Sequence, residues 1–304
     1  MITIWLPEPD AEALMGGLPD GFRADVWTGG DLPASAPDVE VVVPPFDIPE
    51  ERLSVLATLP RLRLVQLESV GADWVLPYLP DGVTLCNARG AYDTAVAEWV
   101  VAVTLAHLRR APRFAAAQRA QRWDFTHTES LEGKSVLVVG YGSIGSALDR
   151  LLAAFGATTV GVASRARDDV HGAEELPALL PDADIVVLLT PGTPRTRGLV
   201  DAEFLERMRD GALLVNAARG IVVDTGALLA ELHSGRISAA LDVTDPEPLP
   251  DGHPLWSAPG LILTPHVAGS NGRPMAKAMA LVRNQLVRYA QGQHVANTIG
   301  PDGY

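Results

Sequence analysis

One hexapeptide limits this chain more than any other stretch: Gly140-Tyr141-Gly142-Ser143-Ile144-Gly145, placed directly after the continuous apolar run Ser135–Val139. Beyond it, Ile144, Ala147, Leu148, Leu151, Leu152 and Phe155 recur at helical spacing and form one apolar stripe. A glycine triplet between a buried strand and an amphipathic helix is the arrangement that receives a dinucleotide pyrophosphate. The first glycine permits the tight turn, the second lets the anion approach the backbone, and the third lets helix and strand pack closely. The first N–H groups of the helix then face the charge. An ordinary glycine-rich turn requires none of this context.

The alternation around the turn predicts an α/β fold. Apolar runs at Ile185–Leu189, Ala212–Val215, Ile237–Asp242 and Leu261–Thr264 read as further buried strands, separated by helical segments at Glu203–Met208 and Thr225–His233. Asp224 is the expected N-cap of the latter and Gly235 its stop. Such repetition specifies a doubly wound parallel sheet. Ahead of it, short runs at Ile2–Trp5, Glu40–Val43, Leu64–Leu67 and Val83–Cys86, with helical spacing over Arg52–Leu59, predict a smaller α/β layer. Thr94–Gln121 reads as one long helix or two that break at Pro112, serving as a domain link, a dimer face or a core helix. A last helix is expected over Pro274–Gln291. A length of 304 residues suits two such domains.

Composition excludes several partners. Hydrophobic residues at 47% and charged residues at 20% describe a packed chain, and a net charge of −13 argues against nucleic acid. Cys86 is the one cysteine, so neither an intramolecular disulfide nor a cysteine-rich metal site can form, and no metal is expected. The longest apolar stretch, Trp99–Ala106 between Glu98 and His107, falls short of the roughly 18 residues of a membrane helix. Met1–Asp10 has no basic region and carries Glu8 and Asp10, which is unlike a signal peptide. A soluble, cytoplasmic protein is the expectation.

The second strand of the nucleotide half, Thr158–Val162, lacks the terminal acid that holds a ribose 2′-hydroxyl. The chain continues Ala163-Ser164-Arg165-Ala166-Arg167, and the Ser164 hydroxyl with the Arg165 and Arg167 guanidiniums suits a 2′-phosphate. NADP(H) is therefore preferred. NAD(H) stays possible through Asp168 and Asp169 if the strand runs long.

Ligands of doubly wound sheets bind outside the carboxyl ends of the strands. Three unlike groups stand there: Arg219 in Asn216-Ala217-Ala218-Arg219-Gly220, Glu247 in Asp242-Val243-Thr244-Asp245-Pro246-Glu247-Pro248, and His266 in Thr264-Pro265-His266-Val267-Ala268-Gly269. Singly, each reads as well as a surface arginine, a loop decoration or a structural histidine. Together they suit reduction of a 2-oxo acid. A histidine supplies the proton as charge develops on oxygen, a carboxylate fixes its tautomer, and an arginine fork holds the substrate carboxylate.

These motifs, with Thr190-Pro191-Gly192-Thr193-Pro194, occur over Leu64–Gly300 in the order found in the D-isomer-specific 2-hydroxyacid dehydrogenases, which the chain resembles. The resemblance implies that Arg219 binds the substrate carboxylate, that His266 is the acid/base, and that Glu247 rather than Asp245 is its partner. It places Gly140, Gly142, Ser143, Ile144 and Gly145 at the pyrophosphate, and Thr190 and Pro191 on the adenosine side. It places Ala217, Ala218, Arg219, Asp242, His266 and Gly269 around the nicotinamide. It gives Val70 and Gly71, in Ser69-Val70-Gly71-Ala72, to the substrate through backbone N–H groups; a plain strand-ending turn is the other reading of that loop. It further implies a Rossmann domain at 99–270, a discontinuous flavodoxin-like substrate domain at 1–98 and 271–304, hinges near Glu98 and Ser270, and a homodimer.

The missing ribose acid is similar to the glyoxylate and hydroxypyruvate reductases of that family. Thr244 and Leu189 depart from its usual aromatic and histidine, and Glu247 is unlike its formate-dehydrogenase relatives. Two other readings stand beside the reductase: an NAD-dependent dehydrogenase of D-lactate or a bulkier D-2-hydroxy acid, and a dinucleotide-sensing, corepressor-like binding protein.

Overall fold

The computed structural model describes every residue except Asp47, Asn271, Gly272 and 301–304, and every side chain except those and Arg273 and Pro274. The chain divides into two compact units, Met1–Tyr92 with Gly272–Tyr304, and Asp93–Asn271. The domain start expected at residue 271 lies outside the described residues. Residue 98, the other expected boundary, falls inside the helix Asp93–Leu108.

The first unit is built on five parallel strands, β1 (Ile2–Leu6), β2 (Phe22–Val26), β3 (Val39–Val42), β4 (Leu64–Gln66) and β5 (Thr84–Cys86), in the order β5-β4-β3-β1-β2. Thr298–Ile299 adds antiparallel to the β5 edge. Because neighbouring side chains on a strand point to opposite faces, both faces of a covered sheet are apolar. Trp5, Val42, Val65 and Leu85 pack with Trp27, Leu53 and Leu56 on one side. Ile4, Val41, Leu64 and Cys86 pack on the other with Met279, Val282 and Leu286 of the helix Arg273–Ala290. The C-terminal helix thus completes the N-terminal unit. Of residues 52–59, read as helical, 52–58 lie in a 3₁₀ run, Glu50–Thr58, and Leu59 follows it in extended conformation. Strand β2 escaped the sequence reading because it is an edge strand whose Arg23 and Asp25 interrupt its apolar signal.

The second unit holds seven parallel strands: β6 (Ser135–Val139), β7 (Thr158–Ala163), β8 (Val170–Gly172), β9 (Ile185–Leu188), β10 (Leu213–Asn216), β11 (Ser238–Leu241) and β12 (Leu261–Leu263). Their order is β12-β11-β10-β9-β6-β7-β8. Val136, Val138, Ile185, Val187, Leu213 and Val215 pack against Ala97, Val100 and Val101 of the helix Asp93–Leu108 and Leu148 and Leu152 of the helix Ser143–Ala154. Hence the helix after residue 93 is a core element of this unit. It ends before Arg110, which takes a left-handed φ of 51°, and Pro112 then sits in the first turn of Ala111–Arg119. The opposite face buries Leu137, Val186, Leu188, Leu214 and Ala239 with Phe204, Leu228 and Leu232. Asp224 caps Thr225–Ser234 by accepting from the Ala227 N–H, and Gly235 closes it at φ 71°. Phe155 departs from the expected stripe: it follows the last helical residue and is 43% exposed. Among the described residues, no helix is long and apolar enough to cross a membrane.

Candidate active site

Each sheet reverses its strand order once, and ligands of such sheets lie at that reversal. In the second unit the reversal falls between β6 and β9, the strands that lead into Gly140 and Thr190. Gly140 has φ +95°, and a Cβ there would stand 2.5 Å from the Thr190 nitrogen, so only glycine lets the two turns meet. Gly142 differs: a Cβ on it would meet nothing nearer than the Gly140 oxygen at 4.0 Å, which leaves a cradle open before the helix that begins at Ser143. At Gly145 the same atom would lie 3.2 Å from the Tyr141 ring and 3.3 Å from Val138, the close helix-strand approach the spacing predicts. An open backbone cradle at a helix start fits a bound pyrophosphate on charge and on shape.

Ser143 Oγ lies 3.1 Å from Asp93 Oδ1, and Ile144 is half-buried. Thr190 is buried and Pro191 half-buried; the Pro191 carbonyl accepts from Thr196 Oγ1 at 2.6 Å. Strand β7 stops at Ala163, so Ser164 and Arg165 follow its carboxyl end, exposed, and Arg167 Nη2 donates to the Tyr141 carbonyl at 2.6 Å. Asp168 and Asp169 occupy a tight reversal closed by mutual Arg167–Val170 backbone bonds, with Asp168 at φ 39°. The strand does not run long enough to bring either acid to its end.

The Arg219 turn is clamped from inside. Asn216, fully buried, accepts from the Ala218 N–H and donates to the Arg219 carbonyl, both at 3.0 Å. Ala217 donates to Leu188 O at 3.3 Å. A Cβ on Gly192 would come within 2.9 Å of the Arg219 side chain, and one on Gly220 would overlap the Thr244 carbonyl. These glycines press the turns after β9, β10 and β11 together.

Asp242 anchors the His266 loop. Only 3% exposed, its carboxylate accepts from Thr264 Oγ1 at 2.6 Å, Val267 N at 2.9 Å and Ala268 N at 2.8 Å, while its carbonyl accepts from the His266 N–H at 2.7 Å. Gly269 lies in the turn that closes this loop. His266, at φ 54°, brings Nδ1 to 2.6 Å from Glu247 Oε1. Partial burial raises the Glu247 pKa, but the hydrogen bond and charge of His266, a Thr244 backbone bond and the Arg219 charge outweigh it and hold the carboxyl below its ordinary value. Histidine and guanidinium thus both act on the one carboxylate. The sequence reading assigned nothing to Asn216, Thr264, Gly192 or Gly220; all four lie in quoted motifs or beside them, and only their contacts separate positioning from chance.

In the first unit, Val70 and Gly71 are half-buried in the loop after β4. Its carbonyls are tied down: Val70 O accepts from Asn87 Nδ2 at 2.6 Å, and Gly71 O from Ser69 Oγ at 2.8 Å and Trp74 Nε1 at 3.1 Å.

Comparison with known proteins matches residues 101–268 to the model of the D-isomer specific 2-hydroxyacid dehydrogenase NAD binding domain. A glyoxylate reductase of Thermofilum pendens is 33% identical over 254 residues, 79% of this chain and 75% of that protein. A D-isomer specific 2-hydroxyacid dehydrogenase of Xanthobacter autotrophicus Py2, solved with NADPH and MES, is 31% identical with TM-score 0.86, over 99% of this chain and 98% of its own. An NADPH-dependent glyoxylate/hydroxypyruvate reductase of Sinorhizobium meliloti, solved with NADP and sulfate, is 26% identical with TM-score 0.86 and full coverage of both chains, 100% each. The chain spans 55% of the mycobacterial D-3-phosphoglycerate dehydrogenases it also matches. It belongs to the D-isomer-specific 2-hydroxyacid dehydrogenase family.

Proposed function

We propose that this chain reduces a small 2-oxo acid of the glyoxylate or hydroxypyruvate kind to its D-2-hydroxy acid, with NADPH preferred over NADH. The observation that carries the reading is the 2.6 Å pair between His266 and Glu247. A carboxylate only accepts, so Nδ1 carries the proton toward Glu247 and Nε2 is the atom left to exchange one with substrate. Reduced nicotinamide, when bound, supplies the hydride. Nε2 gives its proton to the carbonyl oxygen as negative charge develops there, and Glu247 stabilises the imidazolium that precedes the transfer. The Arg219 fork holds the substrate carboxylate and so fixes which carbonyl face is presented. The turn Gly140–Gly145, with Thr190 and Pro191, holds the cofactor. Ser164 and Arg165, just past β7, take the 2′-phosphate with Arg167.

In this reading the first unit is the substrate-binding domain, its Val70–Gly71 backbone taking the oxo acid. The complexes of the similar proteins with NADPH and NADP support the cofactor preference. A homodimer is part of the same reading, supported by Trp123 at 97% and Phe125 at 77% exposure, apolar rings that a second copy would cover. The test is an absorbance assay of glyoxylate, hydroxypyruvate and pyruvate with NADPH and NADH. Turnover with NADPH well ahead of NADH is expected. Tight cofactor binding without turnover of any 2-oxo acid would overturn the reading in favour of a sensing protein.

A further inference from the structure

The helix that opens behind the glycine turn starts without a side-chain cap. Its N-cap is Gly142, and among the described residues the Ser143, Ile144 and Gly145 N–H groups have no protein acceptor. Free donors at a helix start are what a pyrophosphate takes. The Ser143 hydroxyl, in contrast, is already engaged. It donates to Asp93 Oδ1 at 3.1 Å, across 50 positions of chain. Asp93 begins the helix Asp93–Leu108, whose Ala97, Val100 and Val101 share one buried cluster with Ala147, Leu148 and Leu152 of Ser143–Ala154. The packing of two helices inside one unit therefore fixes a carboxylate beside the cradle. Both side chains of the pair are half-buried, held in place yet reachable.

A carboxylate near a helix start ordinarily helps, because it balances the partial positive charge there. Here it competes with the ligand. The hydroxyl has one proton, and while Asp93 holds it Ser143 can offer a phosphate oxygen only lone pairs. Resting on the cofactor part of the proposed function, we infer that Asp93 is a positioning residue that loosens the hold on the dinucleotide: it keeps the Ser143 proton from the pyrophosphate and sets a like charge beside it. Product release limits turnover in many enzymes, and a resident anion in the wall of the cradle speeds it. The plain alternative is an acid that serves the first turn of its own helix, whose loss would lower stability and leave the cofactor alone.

Calorimetry with NADPH reads the effect without turnover. Asp93→Ala should bind NADPH at least about threefold more tightly than wild type, with a slower off-rate on displacement. Asp93→Asn keeps the size and loses the charge; it should tighten binding too, and it carries the test if alanine impairs folding. Ser143→Ala supplies the second arm of a cycle: in its background, removing Asp93 should gain less than it does with the hydroxyl present. Unchanged or weaker NADPH binding in the Asp93 variants, with only the melting temperature moved, would overturn the inference. An equal gain with and without the hydroxyl would remove Ser143 from the account and overturn it as well. If the wild type binds NADPH but reduces no 2-oxo acid, the proposed reduction fails and tighter Asp93 variants still carry the inference. If it binds no dinucleotide, both fall.

Discussion

The first two demands on the glycine turn can be separated by adding a single methyl group. At Gly140, alanine must adopt φ +95° and place its Cβ 2.5 Å from the Thr190 nitrogen and 2.6 Å from the Leu189 carbonyl carbon. The left-handed conformation costs about 1–2 kcal/mol and the backbone overlap about 1–3 more. At Gly142 the added methyl meets only the Gly140 oxygen at 4.0 Å, and φ is −115°, ordinary for alanine. The fold should lose no more than about 1 kcal/mol there. With a Tm sensitivity of about 2–4 °C per kcal/mol for a unit of this size, Gly140→Ala should melt roughly 4–20 °C lower and Gly142→Ala within a few degrees of wild type. Cofactor affinity should show a further, separate loss. The Gly142 methyl occupies the cradle, so NADPH binding by calorimetry should weaken at least about tenfold in a protein that folds normally. Wild-type affinity in Gly142→Ala would refute the cradle, and wild-type stability in Gly140→Ala would refute the account of the Thr190 contact.

Further tests address the other groups. Asp242→Asn turns an amide N–H toward loop donors that now bond a carboxylate, which should cost about 1–3 kcal/mol and lower kcat with His266 intact; unchanged melting and turnover would remove Asp242 as the anchor. Arg219→Lys keeps the charge but loses the planar fork, so KM for the oxo acid should rise severalfold or more in steady-state assays, with NADPH affinity held. Glu68, 6% exposed, holds its proton by burial up to about 7 in the folded state and loses it near 4.5 when unfolded, so stability should fall as pH rises through that window. Denaturation of wild type against Glu68→Gln should show a gap widening by up to about 3 kcal/mol between those pH values and flat above them; a constant gap would show that the acid titrates normally.

Much of the fold could be read because parallel strands covered on both faces are continuous apolar runs. Val136–Val139, Ile185–Leu188 and Leu213–Val215 announce themselves this way. What stayed hidden had no such signal: β2 and β8 are edge strands with polar or small residues, and Thr298–Ile299 spans only two residues. At the site, chemistry was legible where residue type is unusual just past a strand, as at Arg219, Glu247 and His266. Positioning was not, because Asn216 and Thr264 reveal their part only through partners, and Gly220 only through the carbonyl it lies against. Glu68 looked like any acid in a loop until its burial was known.

The helix Arg273–Ala290 seats Met279, Val282 and Leu286 against Ile4, Val41, Leu64 and Cys86, at the far end of the sequence. A ribosome delivers these partners in the wrong order. The nascent N-terminal sheet must wait with one greasy flank bare while some 180 residues are made, whereas the nucleotide-binding half is contiguous and can condense as it emerges. During synthesis that waiting flank is the natural place for a chaperone to hold, and clipping the chain before residue 273 would leave it bare for good.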